Sequence, residues 1–458
     1  MTECFVVMSD EIGGRLDVGY FLAIKNPEYL KVRSSKYPIK KLGEISTLVT
    51  KGESPLWRGD SFLPAGIPFL RGKNIKNGNI DFSDVVYVSE KVHNRMKRSI
   101  LNDNFLLLTM AGTLGDVAFF RKDCLESNIN QDIAKIKLTK EISYEYAEVY
   151  FQTDFAKSQI NVLSNGGTRS HLNFQQIKSF DVILPRPEVQ SQIVSLIKKA
   201  NKLKESKEVE ALKLLDSTSD YVLDELEIKL PELKNKVVYL VDSEEVQNKR
   251  VDAYYYQPKF EEVEKAMKKA KFEVKELKEF AKVNDKLENI KNYKEINYID
   301  LTSINKTLGR IQEINQLNSE EAPSRARQKL EKGDLLVSGL SGSLKSIAIF
   351  DKSEPNFIAS TGFYIIKNSK NYNNHYLFAL FRSFLYQLLL HRETTGAIMS
   401  SINREALLNL KIPLPPLAVQ NKIAEEVKKR MQKAESLQKE AKEELEKAKL
   451  EVEKVILG

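Results

Sequence analysis

The chain has 458 residues, enough for two to four domains, and its 42% hydrophobic and 29% charged content is that of an ordinary folded protein with a net charge of +8. No run of about 18 apolar residues occurs, which excludes a helical membrane span. Only Cys4 and Cys124 are present, which excludes a disulfide framework and a cysteine-rich zinc site and fits a reducing, cytoplasmic setting. The first eleven residues have no basic region ahead of their short apolar run, so no signal peptide is expected.

In chain order, residues 42–50, 105–109, 117–120 and 133–138 are rich in β-branched and aromatic side chains and read as strands. Residues 144–160 read as an amphipathic helix. Pro185-Arg-Pro187 closes this globular part, because proline sits well just before a helix and badly inside one. A long helix follows, with Val189, Ile193, Leu196, Ala200, Leu203, Val209, Leu212 and Leu215 as its apolar residues, running to about Leu226. The same order then returns. Strands are expected at 298–301, 335–338, 346–350 and 363–366, a helix at 374–390, and a proline exit at Pro413-Leu-Pro-Pro416. The last helix carries Val419, Ile423, Val427, Met431, Ala434, Leu437, Ala441, Leu445, Ala448, Val452 and Val455 in steps of three and four.

The two halves are copies. Gly166-Gly-Thr-Arg-Ser-His-Leu-Asn173, Ile183-Leu-Pro185 and Val189-Gln190 recur 230 residues later as Gly396-Ala-Ile-Met-Ser-Ser-Ile-Asn403, Ile412-Pro-Leu-Pro-Pro416 and Val419-Gln420. Gly112-Thr-Leu114 pairs with Gly342-Ser-Leu344 at the same offset. Arg15-Leu-Asp17 with Tyr20-Phe21 echoes Arg250-Val-Asp252 with Tyr255-Tyr256. A period this long marks a duplicated domain, since solenoid units run about 20–50 residues. The expected fold class is α+β: two similar globular domains, 1–186 and 231–415, separated by two long helices, 187–230 and 416–458, that form an antiparallel coiled coil. A lone polar helix with one narrow stripe has no core of its own, so each is expected to seek the other. Some 35–40 helical residues span roughly 50–60 Å, a ruler between two heads. Packing of each helix onto its own domain is the alternative. Residues 188–230 hold seven Lys/Arg against nine Asp/Glu, and 419–458 hold ten against nine. The positive excess therefore sits in the heads, which suits a polyanionic partner but is equally compatible with a basic protein that binds no nucleic acid.

Catalytic motifs are scarce. Gly66-Ile-Pro-Phe-Leu-Arg-Gly-Lys73 has five residues between its glycines and Asn74 after the lysine, where a phosphate loop needs four and then Ser or Thr. Ser338-Gly-Leu-Ser-Gly-Ser-Leu-Lys345 fits neither hydrolase serine pattern, and no Asn-Pro-Pro-Tyr methyltransferase tetrapeptide occurs. The four histidines (His93, His171, His375, His391) lack metal-site spacing, and His171 aligns with Ser401. What remains is a set of loops rich in Gly, hydroxyl and basic residues, such as Thr50-Lys-Gly-Glu-Ser54, Arg71-Gly-Lys-Asn74 and Ser341-Gly-Ser-Leu-Lys345. Such loops bring backbone, hydroxyl donors and cations to phosphate, and Arg and Asn can also read base edges.

The order of head, proline exit, long helix, head, proline exit and long helix resembles the specificity subunit of type I restriction–modification systems. The residues that carry the likeness are Ile183-Leu-Pro-Arg-Pro-Glu-Val-Gln190, Ile412-Pro-Leu-Pro-Pro-Leu-Ala-Val-Gln420, the Gly-x-x-x-Ser-x-x-Asn segments before them, and Leu42-Gly-Glu-Ile45. The resemblance implies a non-catalytic reader of double-stranded DNA whose two target recognition domains each take one half of a bipartite site. It implies helices that dock two methyltransferase subunits. It also implies that cofactors sit elsewhere: S-adenosylmethionine in the methyltransferase, and ATP and magnesium in a restriction subunit where one joins. Because Arg71-Gly-Lys-Asn74 aligns with Asp300-Leu-Thr-Ser303, the target is expected to be asymmetric. Candidate DNA-binding residues are Lys51, Ser54, Arg58, Arg71, Lys73, Asn74, Arg169 and His171 in the first head. In the second they are Lys286, Thr302, Ser303, Asn305, Ser341, Ser343, Lys345, Arg392 and Arg404. A protein-binding coiled-coil adaptor and a nuclease with an unrecognised site are the alternative readings.

Overall fold

Each head is threaded through one antiparallel strand pair, so the chain arrives and departs at the same place. In the first, Ile39–Lys41 pairs with Asp181–Ile183; in the second, Val274–Glu276 pairs with Lys411–Pro413. The computed structural model describes residues 25–76, 78–164, 171–246, 250–396 and 400–458. The motif at residues 15–21 and most of the glycine loop at 166–170 lie outside the described residues. The chain divides into two units, Met1–Glu205 with Ala441–Gly458, and Ser206–Glu440, so each contains one head and one half of each long helix. Among the described residues, no helix is long and apolar enough to cross a membrane.

The first head holds two four-stranded sheets. One runs in the order Val86–Val88, Ile67–Leu70, Ser127–Ile129, Ile100–Leu101, with its central pair parallel. The other runs Ser46–Lys51, Ile133–Leu138, Phe105–Thr109, Val117–Phe120 and is antiparallel throughout. Helices Tyr144–Tyr150 and Asp154–Leu163 cover this second sheet, burying Tyr146, Tyr150 and Phe155 against Leu106, Leu108 and Ile136.

The second head repeats the plan. One sheet runs Asn315–Asn318, Glu295–Ile299, Phe357–Ser360, Ala326–Lys329, again with a parallel central pair. The other runs Ile347–Ile349, Leu335–Ser338, Phe363–Ile366. The strand equivalent to Ser46–Lys51 is reduced to a single bridge between Val283 and Ile366. The single helices expected at 144–160 and 374–390 are each two helices. Thr153 and Ser383 stand in extended conformation and accept the Ala156 and Tyr386 N–H groups, both at 3.4 Å. A hydroxyl that captures a backbone donor starts a new helix.

The repeated proline–glutamine motif acquires a physical meaning at the neck. Gln190 is buried; its Oε1 accepts the Ser143 N–H at 2.9 Å while its amide donates to Glu141 O and Pro185 O at 2.9 and 3.0 Å. Gln420 does the same with the Asn373 N–H and Pro415 O, at 2.9 and 2.8 Å. The Tyr146 hydroxyl donates to Ile183 O and that of Tyr376 to Pro413 O. The repeated asparagines are helix caps: Asn173 and Asn403 accept the N–H groups of Gln176 and Ala406.

From the neck run the long helices, Pro187–Glu225 and Leu417–Leu457. Within the second unit they are antiparallel. Lys422 pairs with Glu225 at 2.8 Å, Arg430 donates to Ser217 O at 2.9 Å, and Lys207 pairs with Glu440 at 2.5 Å. Between these, Ala211 meets Ala434 and Leu437. Each unit also draws helix residues into its head: Ile193, Val452 and Ile456 in the first, Val222, Ile423, Val427 and Met431 in the second. The stripe expected on the final helix is largely the buried face. On the first long helix Ile193, Ala200 and Ala211 are buried, but Leu203, Val209 and Leu212 are exposed. A two-helix seam covers only the narrow strip facing the partner, so side chains beside it have nothing to pack on.

Removing Gln190 leaves two carbonyls and one N–H without partners, so Gln190→Ala is expected to lower stability by about 2–4 kcal/mol, measured by urea unfolding. A second expectation concerns Glu148, whose carboxylate accepts the Phe119 N–H at 2.7 Å. Burial pushes its pKa up to about 7, against the pull of that hydrogen bond and of Arg121. A folded pKa above the unfolded value gives a contribution that is full in acid and lost as pH rises through 7. Glu148→Gln keeps the acceptor and removes the charge. It is therefore expected to melt with the wild type near pH 4.5 and to be more stable by about 1–3 kcal/mol above pH 7.

Candidate nucleic-acid interface

In the first head the candidate loops converge on the turn Asn130-Gln131-Asp132. Gly52 lies so close to the Ile129 and Asn130 carbonyls that a Cβ there would collide with backbone, and Gly72 faces Asp132 and Ala111. The Leu172 N–H bonds Met110 O, which brings exposed His171 to the same rim. Lys51 ends its strand and is half-buried, Ser54 precedes the short turn Pro55–Arg58, and exposed Arg58 reaches Glu53 at 3.5 Å. Arg71 and Lys73 project from one turn and share a single counter-ion, Asp84. The Arg71 guanidinium donates to Asp84 O at 3.1 Å, and Lys73 forms an ion pair with the carboxylate. The lysine holds the Asp84 carboxyl below its ordinary range. Asn74 has no edge to offer a base: it is 1% exposed, accepts the Arg71 N–H and donates to Asp81 O and Asp84 O. Arg169 lies outside the described residues.

The second head builds the same turn from other residues. Ser303 replaces Asn74, is fully buried, and accepts the Asp300 N–H at 3.1 Å as Asn74 accepts that of Arg71. Thr302 is exposed and donates to Asp300 at 2.6 Å. The Asn305 side chain accepts the Thr307 and Leu308 N–H groups. Lys306 reaches across to Gly342 O and Ser343 Oγ, the Ser341 N–H bonds Ser400 O, and Lys345 is exposed. Arg382, which sequence reasoning missed, ties this cluster together. Its guanidinium donates to Lys306 O, Thr307 O and Lys345 O and lies over the Phe378 ring. Burial pulls its pKa down to about 10. Lys286 is exposed beyond Asn284 on a neighbouring loop.

Two of the residues expected to contact DNA serve as internal clamps. Arg392 pairs with Glu264 at 3.0 Å, donates to Tyr255 O and lies over the rings of Tyr255 and Phe260. Arg404 donates to Val283 O and Asn284 O at 2.9 and 2.8 Å. Both guanidinium groups are engaged by the fold, because a backbone carbonyl satisfies the same donors as a phosphate oxygen does. Exposed cations that the loop pattern passed over flank the parallel-centred sheets: Lys97 and Arg98 in the first head, Arg325 and Arg327 in the second. The run Ser324-Arg-Ala-Arg-Gln-Lys329 signals the latter pair by its charge alone.

Comparison with known proteins bears on this arrangement. A curated relative, the type I restriction enzyme EcoBI specificity subunit of Escherichia coli, is 26% identical over 130 residues, covering 28% of this chain and only 27% of its own length. A chain solved in work on complex assembly and conformational transition of the type I restriction–modification system shares the fold. It aligns over 92% of this chain and 96% of its own, at 13% identity and a TM-score of 0.52. The specificity subunit of M. genitalium aligns over the same shares at 12% identity and a TM-score of 0.44. The family model for the type I restriction modification DNA specificity domain matches residues 34–214 and again 269–447, well over half the chain. With two copies of that domain, each built on the same sheets, neck and turn, the chain belongs to the type I restriction–modification DNA specificity family.

Proposed function

We propose that this chain is the DNA-reading, non-catalytic specificity subunit of a type I complex. Each head takes one half of a bipartite, asymmetric target in double-stranded DNA. The observation that supports this most directly is one turn built twice. Asn74 and Ser303 hold the same backbone bond, while the outward positions beside them are Arg71 and Lys73 in one copy and Asp300 and Thr302 in the other. A constant frame with exchanged outward chemistry suits reading two unlike sequences. Lys51, Arg58, Arg71, Lys73 and His171 are the contacts proposed for the first head. Lys286, Thr302, Lys306, Ser341, Ser343 and Lys345 are those for the second, with Arg382 positioning its loops.

The exposed Val209 and Leu212 on the first long helix suit docking of methyltransferase subunits, two in the full assembly, which would hold S-adenosylmethionine. ATP and magnesium would belong to a restriction subunit where one joins that assembly, and the complex would work in the cytoplasm.

Coexpression with a methyltransferase subunit bearing Asn-Pro-Pro-Tyr or Asn-Pro-Pro-Phe, followed by genome-wide mapping of methyladenine, tests the reading. A gapped, asymmetric motif supports it; methylation with no bipartite motif sinks it. In the same assay Arg71→Ala is expected to relax the first half-site alone, and unchanged reading of both halves removes Arg71 from the interface. Lys345→Ala is expected to weaken binding by about 3- to 10-fold and to reduce the salt dependence by about one counterion. Leu212→Asp is expected to lower methyltransferase co-purification without lowering the melting temperature, since that side chain faces solvent.

A further inference from the structure

The chain contains one tryptophan, and it is thrown outward. Trp57 is 66% exposed and its neighbour Leu56 is 55% exposed. They occupy the short turn Pro55–Arg58, which ends at Gly59 in the left-handed region (φ +79°). The turn is not loose at its base. Gly52 is wedged against the Ile129 and Asn130 carbonyls, the Glu53 N–H bonds the Oγ of fully buried Ser99 at 3.0 Å, and Pro55 is buried. A fixed stem thus presents a large apolar tip to water, where it forgoes the burial that aromatic side chains ordinarily gain.

The surroundings state what would cover it. Arg58 follows the tryptophan, and the Glu53–Ser99 bond brings exposed Lys97 and Arg98 to the stem. An apolar tip rimmed by cations complements a polyanion that also offers flat apolar faces, which is the chemistry of stacked bases behind phosphates. The second head repeats the device in reduced form. The loop that leaves its equivalent strand position, Val283, presents Leu287, 57% exposed, beside Lys286.

Resting on the DNA-reading function above, we propose that Leu56 and Trp57 form an apolar wedge that inserts at a base step of the first half-site, with Arg58, Lys97 and Arg98 holding the flanking phosphates. Side chains of this kind unstack neighbouring bases and read how readily a step opens, a sequence preference that needs no hydrogen bond to a base. Trp57 thereby joins Arg71 as a specificity-determining residue of the first head.

The single tryptophan makes the test direct. The chain is labelled with 5-fluorotryptophan, assembled with unlabelled methyltransferase, and titrated with target duplex while ¹⁹F NMR follows its one resonance and fluorescence anisotropy follows binding. The resonance is expected to move on adding DNA and not on adding methyltransferase. Trp57→Ala is expected to cost about 10- to 100-fold in affinity for the target, and Trp57→Phe less, with melting temperatures unchanged. DNA binding with an unmoved resonance, or with an undiminished Trp57→Ala complex, overturns the wedge and leaves the reading function standing. A resonance that moves with methyltransferase alone assigns the tip to protein docking and also overturns the wedge. Failure of the wild-type complex to bind duplex overturns both.

Discussion

The structure depends on a shortage of apolar surface. Two helices of 39 and 41 residues carry so much lysine and glutamate that neither can bury a face against water alone. Their stability must come from the strip where they meet and from what their ends lend to the heads. Ala211 against Ala434 shows how narrow that strip is. The ion pairs beside it, such as Lys422–Glu225, each keep one partner open to solvent, so they fix register more than they add stability. The heads in turn need the helices: Val452 and Ile456 complete one core, and Ile423 and Val427 the other.

How far the sequence foretold this depended on whether a residue's partner was itself encoded in a pattern. Strands such as Phe105–Thr109 and Leu335–Ser338 were legible because their burial on both faces demands continuous apolar runs. The final helix was legible because its stripe is long and regular. The first long helix was misleading at Leu203, Val209 and Leu212, where spacing suggested a buried face that a two-helix seam does not supply. Thr153 and Ser383 carried a readable capping signal that an unbroken apolar period concealed.

The interface was harder to read for a chemical reason. A guanidinium beside a glycine-rich loop looks the same in sequence whether it meets a phosphate or a carbonyl. Arg392 and Arg404 meet carbonyls of their own head, and no pattern of residue types encodes the position of a backbone oxygen. Asn74 and Ser303 show the converse. Their alignment was visible, but their burial, and hence their service to the turn, follows only from the fold. The exposure of Trp57 likewise is not encoded by its neighbours Leu56 and Arg58; it follows from the turn Pro55–Arg58 that carries it outward.

The neck has a consequence of a different kind. Chain arrival and departure are adjacent in both heads, and the bonds that seal them come from a glutamine on the departing helix and from tyrosine hydroxyls bonded to the outgoing strand, not from the variable loops. A replacement for the segment between the paired strands therefore has to keep the neck's partners, such as Ser143 and Tyr146, and the apolar surface that receives Ile193 and Val452. A foreign head that keeps those contacts could be grafted onto these helices through the two adjacent strands of the neck. Such a chain can thus change by whole heads, in larger steps than point changes in a loop allow.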